Sequence, residues 1–273
     1  KATWNSFLGY VYNFNGLPDG TIWGAVPGAE VEYGYQMPRF NTRTVAATEY
    51  RITGDEKYAY YLIDLMMDFA VKKGGRTTGG QGWPNSPEIM AGFPRTLDTS
   101  GRMPSWGKIF SDVVKSEYMT PEVCTAILKT MWHMTNSLTK STSASGNWKQ
   151  YEQTAIFEMA LFLPEFADKM KWIEGAQKLQ EEMFIKINNY PDGSYIEKTA
   201  GYSQNALTGF IGFKRNLISR GLDVSQEYNE MLHKSAYYNL QLYGPGGQNL
   251  QWGDDGAGRR SAGIYTDVAK WFN

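Results

Sequence analysis

The chain has 273 residues, with 27 Lys and Arg against 28 Asp and Glu, for a net charge of -1. Near-neutrality removes the basic field that nucleic-acid binding needs, so no nucleic-acid partner is expected. No apolar run approaches the roughly 20 residues that a bilayer-crossing helix requires, so no membrane span is expected.

A lone cysteine, Cys124, excludes an internal disulfide framework and a cysteine-based zinc cluster, and its apolar helical setting reads as an inert buried thiol. Aromatic residues make up 15% of the chain, including nine Trp and eighteen Tyr. Such rings fill helical cores, and they also stack on sugar faces because each joins an apolar body to a polar tip. The chain opens on Lys1 without a visible leader, which reads as a processed product or an excised domain.

Residues 1–38 are rich in Gly, Pro and aromatics without a sustained period. They read as an irregular wrapping segment with one short helix near Trp4 to Tyr12. From residue 39 to 273 the helical period dominates. Arg43 to Ile52 predicts a helix closed by Thr53 and Gly54; Asp55 then caps a second, with Tyr58, Leu62, Leu65, Met66 and Phe69 on one face. Lys72, Lys73, Gly74 and Gly75 end it. Residues 74–104 read as a long Gly- and Pro-rich connection, a kind of loop that is often functional.

A helix over Ser105 to Ser116 follows. Thr120-Pro121-Glu122 is a strong start signal for the next, which carries Val123, Ile127, Met131, Met134 and Leu138. Ser141 to Gly146 is a small-residue linker before a helix with Ala155, Met159 and Phe162 inward. Pro164 separates it from one carrying Trp172, Ala176, Leu179 and Met183. Tyr190 to Gly193 is a turn, and Ser194 to Glu197 a short extended piece. Helices over Ser203 to Ser219 and Ser225 to Leu242, a Gly-rich segment and a last helix over Ser261 to Phe272 complete the chain. On this reading all eleven prolines sit at helix starts, breaks or loops. The sum is about eight or nine helices of roughly ten to twenty residues. Successive antiparallel hairpins of this kind close into a toroid or stack as a solenoid, and the lack of a fixed-period repeat favours an all-α toroid.

Functional side chains should gather where loops meet helix starts. Asn147, in the run 146–152, sits where it can cap a helix or face a ligand, and Trp148 beside it can pack or stack. Tyr202 stands before a helix entry, as a staple or as an acid/base. A phenol with its ordinary pKa near 10 serves as a base only beside positive charge or hydrogen-bond donors. Arg102, in the run 96–106, can pair a carboxylate ligand or brace its loop. His133 and His233 lie mid-helix and read as structural. No metal-ligand cluster and no cofactor motif is apparent.

The run GNWKQYEQTAIFEMALFLPEF at 146–166, followed by Trp172 and by DGSYIEKTAGY at 192–202, resembles the helical domain of the heparinase II/III-like polysaccharide lyases. TLDTSGRMPSW at 96–106 and QWGDDG at 251–256 fall in the order of the corresponding family segments, and the likeness covers about residues 40–270. The resemblance implies an incomplete (α/α) toroid and β-elimination on an acidic, uronate-containing polysaccharide such as a glycosaminoglycan or alginate. It implies that Asn147 neutralises the substrate carboxylate, and that Tyr202 takes the C5 proton or protonates the leaving O4. Arg102, Trp106, Trp148, Glu152 and Glu197 would line or brace the cleft. The resemblance also implies a periplasmic or secreted protein without metal or cofactor in this part, completed by a C-terminal β-sandwich domain that lies beyond Asn273.

Relatives often place His directly after the Tyr or the Asn, where this chain has Ser203 and Trp148. Two other readings stand beside the lyase. One is a non-catalytic glycan-binding module of the same fold. The other is an inverting hydrolase with two carboxylates, such as Glu152 and Asp254, spaced roughly 6.5–9.5 Å apart.

Overall fold

The computed structural model describes residues 2–5, 11–14, 36–72, 96–140, 142–244, 246–253, 263 and 265–272. The expectations for the connection over 74–95 and for Asp254 fall outside these residues. Near the N-terminus, β1 (Ala2–Asn5) pairs antiparallel with β2 (Val11–Phe14), with Thr3 opposite Asn13. This hairpin replaces the helix expected over Trp4 to Tyr12. The segments are rich in β-branched and aromatic residues, which suit a pleated strand.

Two helical units follow from the contact pattern, and helix α5 (Gly146–Phe162) contributes its first turns to the second and its remainder to the first. In the first unit, α1 (Thr44–Thr53) ends at Gly54, whose left-handed φ of 67° lets its N–H reach the Tyr50 carbonyl. Asp55 then accepts from the Lys57 N–H at 3.1 Å and starts α2 (Glu56–Lys72). Leu62, Leu65, Met66 and Phe69 of α2 are buried, as the helical spacing predicts, and α1 packs on both α2 and α3 (Thr96–Val113). α4 (Pro121–Lys140) begins where Thr120 accepts from the Val123 N–H, and it buries Ile127, Met131, Met134 and Leu138. Cys124 on this helix is free and half-buried rather than fully buried, because it sits at the edge of the apolar stripe.

The largest departure is α3, which runs from Thr96 to Val113 with Pro104 inside it. The sequence reading began this helix at Ser105 and kept Pro104 in a loop. A proline inside a helix removes one backbone hydrogen bond and costs about 3 kcal/mol. Tertiary contacts offset that cost. Arg39 pairs with Asp98 on the first turn at 2.6 Å, and the Arg102 Nε donates to the Pro38 carbonyl at 2.7 Å. Met103 and Trp106 are buried completely on either side of the proline.

The second unit holds the start of α5 (Gly146–Phe162), then α6 (Lys169–Glu182) with a π-helical turn at Met183–Ile187, α7 (Ala200–Ile218), α8 (Gln226–Leu240) and α9 (Tyr265–Phe272). Residues 169 and 170 of α6 cluster with the first unit. α8 packs on α7 and on α9. Its core stacks Phe184 on Phe210, with centroids 3.9 Å apart, and leans Tyr228 against both. The Tyr228 hydroxyl, fully buried, donates to the Phe210 carbonyl at 2.9 Å, which satisfies its polar tip. The expected extended piece at 194–197 contributes a single antiparallel bridge, Asn189 with Tyr195. Gly193 (φ 89°) is required there, because a Cβ would stand 2.4 Å from the Lys234 backbone.

Candidate active site

In the second unit, the starts of α5 and α7 face a common open groove of about 360 Å³, lined by Ser145, Gly146, Asn147, Trp148, Glu197, Thr199 and Tyr202. Each start is fixed by its own device. Gly146 opens α5 at a φ of 80°, and Asn188, fully buried, clasps it reciprocally. The Gly146 N–H donates to Asn188 Oδ1 at 2.8 Å, and Asn188 Nδ2 donates to the Gly146 carbonyl at 3.0 Å. One buried amide therefore uses both its donor and its acceptor on the residue before Asn147.

The Asn147 N–H donates to Glu197 Oε1 at 3.0 Å. Asn147 thus lies inside the first turn of α5 rather than at a cap position, and a carboxylate from another segment takes the capping role. Anions suit a helix start, where unpaired N–H groups and the macrodipole are positive. The same Glu197 oxygen accepts from the Tyr195 hydroxyl at 3.1 Å. Burial, and next to it the Glu197 charge, push the Tyr195 phenol well above its ordinary pKa, so it stays a proton donor to Glu197.

α7 begins at Ala200, three residues before the expected start at Ser203, so Tyr202 lies in its first turn instead of before it. Thr199 caps this helix, accepting from the Tyr202 N–H at 3.3 Å, while Ser203 turns inward and is buried. α5 and α7 are tied further along by Gln150 Nε2, which donates to the Ala206 carbonyl at 2.6 Å. Gly209 makes room for that amide, since a Cβ there would sit 2.3 Å from it.

The remaining sequence candidates lie elsewhere. Glu152 is fully buried, and its two oxygens accept from the Ser143 N–H at 2.8 Å and the Ser143 hydroxyl at 2.7 Å. It braces the turn before α5. Arg102 is 3% exposed in the core of the first unit, with its guanidinium 4.2 Å from the Phe69 ring centroid. Burial lowers its pKa to about 9, against an opposing pull from Asp98. Trp106 is 0% exposed and packs edge-on to Phe40 and Phe69. Neither ring face nor guanidinium is open to a ligand, because the helix that carries both extends through Pro104 and turns them inward. His133 stacks edge-on against Trp132, and His233, exposed, lies against Phe272. Among the described residues no three His, Cys, Asp or Glu side chains converge as metal ligands.

Sequence reasoning missed Asn188, Tyr195 and Thr199. A Thr just before a helix is a cap signal that was legible, whereas the Asn188 clasp joins distant elements and leaves no local pattern, and the Tyr195–Glu197 bond, within one short segment, has no motif to mark it. Trp252 was read only as part of a segment. Its Nε1 donates to the Lys198 carbonyl, at the back of the groove-lining stretch.

An all-α chain of antiparallel helical hairpins, with Asn, Trp and Tyr gathered at two helix starts, defines the class. The chain belongs to the Heparinase II/III N-terminus family, whose model matches residues 3–273. It is 25% identical over 237 residues to a heparin-sulfate lyase of Bacteroides stercoris, covering 84% of this chain and 34% of that protein. It is 27% identical over 190 residues to a heparin-sulfate lyase of Pedobacter heparinus, covering 69% of this chain and 27% of the relative. The chain therefore spans about a third or less of these relatives.

Among solved structures, heparinase III matches with a TM-score of 0.74 at 20% identity, over 93% of this chain and 40% of that one. Heparan sulfate lyase HepC from Pedobacter heparinus matches with a TM-score of 0.71 at 22% identity, over 95% and 40%. These likenesses give the fold: all-α, of the incomplete (α/α) toroid class. No described helix is long and apolar enough to cross a membrane.

Proposed function

We propose that the full-length protein is a polysaccharide lyase that cleaves an acidic, uronate-containing glycan by β-elimination, with its helical part supplying Asn147 and Tyr202. The observation that carries this reading is that both residues line one groove, together with Trp148. In the proposed reaction the Asn147 amide hydrogen-bonds the uronate carboxylate, which spreads the charge that develops when C5 loses its proton. Tyr202 removes the C5 proton or returns a proton to O4 as the C4–O4 bond breaks. The products are a 4,5-unsaturated uronate and a chain end with a free hydroxyl.

Glu197 supports this arrangement by holding the first turn of α5, and Trp148 offers a ring to the substrate. Glu152 supports it as a brace of the turn before α5, while Arg102 and Trp106 belong to the core of the first unit. A C-terminal β-domain of the same polypeptide completes the cleft. The heparin-sulfate lyase relatives make a sulfated glycosaminoglycan the first substrate to test. A periplasmic or secreted location is part of this reading, since an acidic polysaccharide is met outside the cytoplasm.

The deciding experiment incubates the full-length protein with acidic polysaccharides and follows both reducing ends and ultraviolet absorbance. New ends with matching absorbance are expected. New ends without absorbance would overturn elimination in favour of hydrolysis, and binding without new ends would reassign the protein as a glycan-binding module.

A further inference from the structure

Trp252 is half-exposed, at 40%, on the segment that follows α8. That segment is held in place at several points. Tyr243 and Asn249 form an antiparallel bridge, closed by the Gly244 N–H donating to the Gln248 carbonyl at 2.7 Å and the Leu250 N–H donating to the Leu242 carbonyl at 3.1 Å. Asn249, buried, accepts from Gln204 Nε2 at 2.9 Å, which fastens the segment to α7 two residues past Tyr202.

The indole is then tied to the stretch that lines the groove. Its N–H donates to the Lys198 carbonyl, between the groove-lining residues Glu197 and Thr199. Lys198 adopts a φ of 59°, a left-handed conformation uncommon for a residue with a side chain. Gly253 (φ 68°) presses on Thr199, and a Cβ there would come within 2.9 Å of the Thr199 methyl. The polar tip of Trp252 is thus satisfied by protein while much of its ring remains open to solvent. A ring fixed in this way has little conformational entropy left to lose on binding. Trp148, 38% exposed, offers a second ring at the start of α5.

We propose that Trp252 forms a sugar-stacking subsite beside the groove, holding the pyranose ring of a residue that flanks the uronate at Asn147 and Tyr202. This rests on the groove being a glycan site, as set out above. Its ligand is the next sugar of the same acidic chain, recognised through its apolar C–H face and not through its charge.

The test measures binding of size-defined heparan-type oligosaccharides to the full-length protein in a Tyr202→Phe background, so that ligand persists. Trp252→Ala is expected to weaken hexasaccharide binding about tenfold and disaccharide binding by less than about twofold. Trp252→Phe, which keeps a ring but removes the N–H donor, should retain most of the hexasaccharide affinity. Equal weakening at both lengths, or a lowered Tm with unchanged length dependence, would show that Trp252 only braces the segment and would overturn the subsite. Loss of hexasaccharide affinity in Trp252→Phe as large as in Trp252→Ala would do the same. If the parent protein binds no acidic oligosaccharide of any length, the glycan reading itself fails and takes the subsite with it.

Discussion

Trp106 in the first unit and Trp148 in the second are both helical tryptophans close to a polar residue suited to a carboxylate ligand, Trp106 in mid-helix and Trp148 in a first turn. Their surroundings differ completely. Trp106 is enclosed by Phe40 and Phe69, and its neighbour Arg102 reaches a backbone carbonyl. Trp148 stands on an open groove with Asn147. The first cluster holds a proline-containing helix together. The second holds two helix starts at fixed positions with a space between them. Residue type is common to both; burial separates packing from recognition.

Removing each ring or tip in turn breaks that comparison apart. Trp106→Ala should lose about 3–5 kcal/mol of stability through the cavity it leaves, read by denaturant or thermal unfolding. A loss below about 1 kcal/mol would show that the first cluster is not core. Tyr202→Phe in the full-length protein should lower turnover by roughly a hundredfold or more while leaving Tm and glycan affinity nearly unchanged. Normal turnover would remove Tyr202 from the chemistry.

Asn188→Leu removes both bonds to Gly146 and should cost about 1–3 kcal/mol as buried backbone groups lose partners. Turnover should fall further than stability alone explains, if the clasp positions Asn147. A smaller effect is expected from Tyr195→Phe, about 1 kcal/mol for the bond to Glu197. Because the folded protein raises the Tyr195 pKa, its contribution is present below the unfolded pKa near 10 and declines as pH rises above it. Tyr195→Phe should therefore flatten the alkaline fall of stability measured by unfolding between about pH 9 and 11. An unchanged alkaline limb would mean the phenol is not held as described.

Much of the helical framework was legible locally. Gly54, Asp55, Thr120 and Pro121 mark helix ends by backbone and capping chemistry, and the apolar spacing of α2 and α4 matches the buried faces. α3 was not legible, because a proline and flanking glycines read as a loop unless Arg39 and Pro38 supply their contacts. The N-terminal strand pair failed for a related reason: a short mixed segment carries no period, so pairing between its two strands decides its state. Asn147 and Tyr202 stood out through family resemblance, whereas the clasp, the Glu197 link and the seat of Trp252 join residues roughly fifty positions apart in sequence and have no local signature.

Local spacing and capping residues were enough to set a helical chain, because helices form from contacts within a few residues, and the ordered runs at 96–106, 146–166, 192–202 and 251–256 carried the resemblance to its family. Which arginine and which tryptophans face solvent was decided only when the helices packed. Burial and the partners of Asn188, Glu197 and Trp252 depend on contacts between elements far apart along the chain, and no short stretch of sequence encodes them.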